Sequence, residues 1–124
     1  MMNWFGGGCH CGAVRFRVRL ATRAEAISCN CSICSMTGFI HLIVGRDDFE
    51  LVAGRDSLTS YRFNTGAADH LFCARCGVKS FYVPRSHPDG YSVNLNCVDP
   101  DHRPDVTFKP FDGANWEDNI SKIR

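Results

Sequence analysis

No run in these 124 residues approaches the roughly 20 apolar positions of a membrane-spanning helix, which excludes a helical membrane protein. The N-terminus, Met1-Met2-Asn3-Trp4-Phe5-Gly6-Gly7-Gly8, has neither a basic stretch nor an apolar core of the secretory type, so the expected location is the cytoplasm. Charge of one sign is lacking too. With 14 Lys+Arg against 13 Asp+Glu the formal net charge is +1, so no broad field draws the chain to nucleic acid or to an anionic membrane. There is no internal repeat, no low-complexity tract and no long amphipathic helical period. The length suits one domain spanning 1–124, and neither Pro84–Gly90 nor Pro100–Pro104 is long enough for an interdomain linker.

What the chain has in excess is cysteine, eight in all. Seven fall into three tight groups: Cys9-His10-Cys11, Cys29-Asn30-Cys31-Ser32-Ile33-Cys34 and Cys73-Ala74-Arg75-Cys76-Gly77. A disulfide framework is a poor account of them. Bonds within Cys9-His10-Cys11 or Cys29-Asn30-Cys31 would close strained small rings, and a reducing compartment opposes them. Zinc is the better account, because thiolates close in sequence reach one tetrahedron, with Zn–S of about 2.3 Å, at little cost in loop entropy.

Cys73-Ala74-Arg75-Cys76-Gly77 reads as a zinc knuckle with glycine at the position that needs a positive φ; a redox pair would need a βαβ setting that the flanking sequence does not supply. Cys9 and Cys11 on a flat strand would sit about 6.6 Å apart, so they need a bend, which Gly8 and Gly12 permit. The most economical closed site joins Cys9, Cys11, Cys73 and Cys76. Cys29, Cys31 and Cys34 remain, three thiolates that leave one position of a tetrahedron for substrate. The competing reading fills that position with Cys97 or with His10, His41, His70, His87 or His102, and makes the second site inert.

The backbone pattern is all-β. Ala13–Leu20 alternates, Val14, Phe16, Val18 and Leu20 against Arg15, Arg17 and Arg19, which predicts a half-buried strand with a solvated arginine face. Short strand-like runs follow at Phe39–Val44, Phe49–Val52, Leu58–Phe63, Lys79–Val83, Tyr91–Leu95 and Val106–Phe111, and one helical turn fits Cys31–Thr37. Gly6-Gly7-Gly8 reads as a flexible lead into the first ligands, and Cys97 as a small buried hydrophobe on a strand.

Gly8-Cys9-His10-Cys11-Gly12-Ala13-Val14-Arg15-Phe16, Cys29-Asn30-Cys31-Ser32-Ile33-Cys34 and Phe72-Cys73-Ala74-Arg75-Cys76-Gly77 resemble, in order and separation, the motifs of the glutathione-dependent formaldehyde-activating enzyme (GFA/CENP-V) family. Asn30 and Ser35 differ from the residues many members carry there. The resemblance implies a mainly β, compact zinc-stabilised domain of small antiparallel sheets. It implies two zinc ions: a structural one on Cys9, Cys11, Cys73 and Cys76, and a catalytic-type one on Cys29, Cys31 and Cys34, with Cys97 not a ligand. The implied activity is that of a carbon–sulfur lyase on aldehyde–thiol adducts such as S-(hydroxymethyl)glutathione, its partners a glutathione-like thiol and an aldehyde. Arg46, Arg85 and Lys79 are cations that a glutathione carboxylate could meet, and His41 is a weak candidate for proton transfer. The rival is a non-enzymatic zinc-stabilised module that binds protein.

Overall fold

The structure, a computed structural model, describes residues 1–122. Ten strands and two short helices follow one another: β1 (Met2–Gly8), β2 (Arg15–Ala21), β3 (Arg23–Cys29), α1 (Ser32–Thr37), β4 (Ile40–Gly45), β5 (Phe49–Ala53), β6 (Leu58–Tyr61), β7 (Asp69–Cys73), β8 (Phe81–Val83), β9 (Gly90–Asn94), β10 (Asp105–Phe111) and α2 (Trp116–Asn119). They form a three-stranded sheet, β1-β2-β5, and a seven-stranded one, β10-β3-β4-β9-β8-β7-β6. Every pairing of strands is antiparallel except that of β10 with β3. Among the described residues no helix is long and apolar enough to cross a membrane.

The alternating strand behaves as its pattern predicts. Val14, Phe16, Val18 and Leu20 are buried, and Arg15, Arg17 and Arg19 pair outside with Asp99, Glu50 and Asp48. The two sheets face each other through an aromatic layer, in which Phe16 and Phe49 of the small sheet meet Phe81 of the large one at ring-centroid distances of 6.3 and 4.7 Å. Phe5, Leu42, Val93 and Val98 complete this core. Burying side chains of this size contributes about 1.5–3 kcal/mol each, enough to hold short strands together.

Two expectations need correction. Gly6-Gly7-Gly8 is no flexible lead but the end of β1, paired in register with Arg15–Arg17 of β2. Gly7 is required there by close packing, since a Cβ would lie 2.4 Å from the Cys97 carbonyl oxygen. Cys97 lies in a 3-10 turn, Leu95–Cys97, because the Asn94 side chain accepts from the Asn96 N–H and bends the chain out of β9.

Candidate metal centres

Each cysteine group sits where a strand ends. Cys9 and Cys11 follow β1, and Cys73 and Cys76 bracket the turn after β7; both turns finish on glycines at positive φ, Gly12 at +81° and Gly77 at +77°. Each turn closes on a backbone bond, Gly12 N–H to the Cys9 carbonyl and Gly77 N–H to the Cys73 carbonyl. The four sulfurs lie within 4.8 Å of one another, with Cys9–Cys11 at 3.6 Å and Cys11–Cys73 at 3.7 Å. Those lengths are close to the edge of about 3.8 Å that a tetrahedron with Zn–S of about 2.3 Å requires.

The surroundings favour thiolate at Cys73 and Cys76. Val14 N–H donates to the Cys9 sulfur and Arg75 N–H to the Cys73 sulfur. Backbone N–H groups of Cys11 and Val78 pull Cys76 down to about 6, and those of Cys76 and Arg75 lower Cys73. Donors placed around sulfur in this way fit a tetrathiolate metal site, and the four side chains tie the start of the small sheet to the far strands of the large one.

The second group is built by a strand–helix–strand unit. Cys29 ends β3, Cys31 caps the N-terminus of α1, Cys34 lies in its first turn, and His41 follows on β4. The helix brings residues three apart onto one face, and Gly38 in the left-handed region stops it by donating to the Cys34 carbonyl. Cys29, Cys34 and His41 place their donor atoms within 4.8 Å of one another. Cys31 lies against Cys29 and Cys34: those two thiols, Cys29 foremost, hold it well below the ordinary thiol range, while Cys29 and Cys31, with burial, push Cys34 far up.

Of the five histidines that the sequence offered as a fourth ligand, His41 is the one that joins the second group. It is buried, its Nε2 3.1 Å from the Cys34 sulfur, and its Nδ1 meets Ser92 Oγ at 2.9 Å and the Tyr82 hydroxyl at 3.3 Å. The sequence signal was its place two residues into the strand after the cysteine helix. Cys97 and the other histidines belong to neither cluster among the described residues. His102 stacks on Phe5, His87 bonds Ser86, and the half-buried Cys97 thiol points to the Lys79 carbonyl.

A cavity of about 410 Å³ opens on this second group. Cys29, Cys31 and Cys34 form one wall, His41, His70 and Tyr82 another, and Phe63, Arg85 and Trp116 lie around them. The chain after β10 closes one side: the Asn30 amide donates to Asp112 and its oxygen accepts from Ala114 N–H. Gly113 passes so close that a Cβ there would lie 2.3 Å from the Cys29 sulfur. Of the cations considered for a carboxylate, Arg85 lines the cavity with its guanidinium 3.5 Å above the Trp116 ring, whereas Lys79 is buried behind the wall.

The sequence profile of the glutathione-dependent formaldehyde-activating enzyme family matches residues 4–113. The chain belongs to that family. A protein of Halomonas elongata, provisionally named a glutathione-dependent formaldehyde-activating enzyme, is 36% identical over 103 residues, 77% of this chain and 66% of its own length. A crystal structure of a Rhodobacter sphaeroides protein, solved by structural genomics, is 37% identical with a TM-score of 0.70, and the match covers 82% of this chain and 99% of that one. The family and its fold therefore agree with both cysteine clusters.

Proposed function

We propose that the chain is a zinc-dependent carbon–sulfur lyase acting on aldehyde–thiol adducts, with S-(hydroxymethyl)glutathione as the model substrate. The observation that carries this reading is a small cavity with three adjacent cysteines in its wall, in a family whose H. elongata member is named for glutathione and formaldehyde. Cys9, Cys11, Cys73 and Cys76 hold a structural zinc in this reading, and Cys29, Cys31 and Cys34 a second one. When bound, the second zinc supplies an electrophilic position that can take a substrate thiolate.

The chain's own residues do the rest. The cavity wall sets the sulfur against the carbonyl carbon, turning a two-molecule encounter into a local one. His41, oriented by Ser92 and Tyr82, fixes the Cys34 sulfur by a hydrogen bond. Burial holds Tyr82 well above the ordinary phenol range, so it stays a neutral donor or acceptor behind His41. Arg85 offers a charge at the cavity for a carboxylate of the thiol.

A second reading is favoured by one observation, the closeness of His41 to Cys29 and Cys34. With His41 as the fourth ligand the site is closed, and the protein is a zinc-stabilised binding module. His41→Ala, with turnover by the zinc-loaded wild type, separates the two. Under the enzyme reading His41→Ala keeps both zinc ions and the wild type turns over the formaldehyde–glutathione adduct; loss of one zinc ion in His41→Ala with no turnover in the wild type would favour the closed site.

A further inference from the structure

Lys79 is 8% exposed and, among the described residues, has no carboxylate partner. Its Nζ lies 2.6 Å from His70 Nδ1, and the ammonium sits over the rings of Tyr82 at 4.0 Å and Phe39 at 4.9 Å. A buried lysine without a counter-ion costs stability, so its position calls for a use. His70 shows what that use is. Its ring is sandwiched between Tyr82, at 4.9 Å, and Phe63, at 5.4 Å, so only its edges are free. Lys79 occupies the Nδ1 edge. Among the described residues no fully buried side-chain nitrogen or oxygen lacks a hydrogen-bond partner, and Nε2 has none, so Nε2 is reached from the cavity that His70 lines.

We propose that His70 is a catalytic residue that gives its Nε2 proton to the aldehyde oxygen, and that Lys79 is the positioning residue which fixes this tautomer and replaces the proton. This rests on the aldehyde–thiol reading above. As the thiol sulfur forms its bond to carbon, the C=O π pair moves onto oxygen and takes the Nε2 proton. Nδ1 accepts a proton from the Lys79 ammonium, which is left as an amine and regains a proton from the one the thiol gave up on entering. The sum is thiol plus aldehyde to hydroxy thioether, with no oxidant or reductant. Cleavage of the adduct runs the same transfers backward.

The electrostatics suit the role. Burial, then the charge on Lys79, pulls His70 down to about 4, so its imidazole is neutral at neutral pH. Burial brings Lys79 to about 8, with the thiols of Cys34 and Cys31 opposing, which leaves its proton transferable near neutrality. The groups facing the pair are Tyr82 on β8, His41 on β4, Cys31 and Cys34 at α1, and Asp69 beside His70 on β7.

The test uses zinc-loaded wild type, His70→Gln and Lys79→Met. Long-range ¹H–¹⁵N spectra of the wild-type imidazole should show His70 protonated on Nε2 at neutral pH, with that preference lost in Lys79→Met. His70→Gln should lower kcat for formaldehyde–glutathione exchange by about 10²- to 10⁴-fold with KM for glutathione and zinc content little changed. A wild-type proton on Nδ1 overturns the relay whatever the variants do. Wild-type turnover matched by His70→Gln overturns the relay alone, whereas a wild type no faster than the spontaneous reaction overturns the assigned reaction and the relay with it.

Discussion

The chemistry is decided by a few atoms whose neighbours leave no room for change. Gly113 is one such point: Gly113→Ala puts a methyl group 2.3 Å from the Cys29 sulfur. The sulfur or the segment must move, so the variant should lose the second metal and keep the first. Metal content per chain, with and without a mild chelator, measures this. His70 gives a second residue-scale outcome. Its imidazole takes a proton near 6.5 when unfolded but only near 4 when folded, so between those values the unfolded state binds more protons and stability falls as the pH is lowered. Across that window the wild type should lose on the order of 3 kcal/mol relative to His70→Gln, a figure set by the size of the shift. Denaturant melts at a series of pH values check it.

Among the elements, the two candidate metal centres carry different structural weight. Cys9 and Cys11 lie after β1 of the small sheet and Cys73 and Cys76 around the end of β7 of the large one, so the first centre joins the sheets, while Cys29, Cys31 and Cys34 span only a strand end and one helical turn. Cys76→Ser should therefore cost global stability, because metal binding at such a site is itself folding free energy. A loss of about 3 kcal/mol would lower the melting midpoint of a domain this size by roughly 10 °C, and Cys31→Ser should shift it far less. Calorimetry on the two variants decides it. The sequence showed strands wherever apolar and polar residues alternate, as along β2, and the helical turn wherever cysteines needed a three-residue spacing. It hid β1, whose glycines carry no side-chain signal, and β3 and β7, Arg23–Cys29 and Asp69–Cys73, whose charged residues break the alternation. The parallel pairing of β10 on β3 was also hidden, since it depends on contacts 82 residues apart in the chain, such as Asn30 to Asp112.

At the scale of the whole molecule, the seven clustered cysteines were legible because metal ligands keep short spacings; six of them fall in the two clusters that could hold an ion, and Cys31 lies against the second. The partners of those groups were not. His41, His70 and Lys79 come from three different strands or strand ends, and nothing in their local sequence separates them from ordinary polar positions; only the sheet order β4-β9-β8-β7 sets His41 and His70 in one cavity wall, with Lys79 behind His70. Near-neutral charge and a cavity of about 410 Å³ fit a small, locally recognised substrate better than a polymer.

In the proposed function the second cysteine group is a reactive centre rather than a second staple. The most direct measurement is formaldehyde–glutathione adduct exchange by NMR on freshly zinc-loaded protein, with zinc counted in the same sample and Cys31→Ser beside it. A reactive centre requires two zinc ions and exchange above the spontaneous rate in the wild type, and one zinc ion with only the spontaneous rate in the variant. Exchange at the spontaneous rate in a wild type that holds both ions, or equal rates in the two proteins, would contradict it.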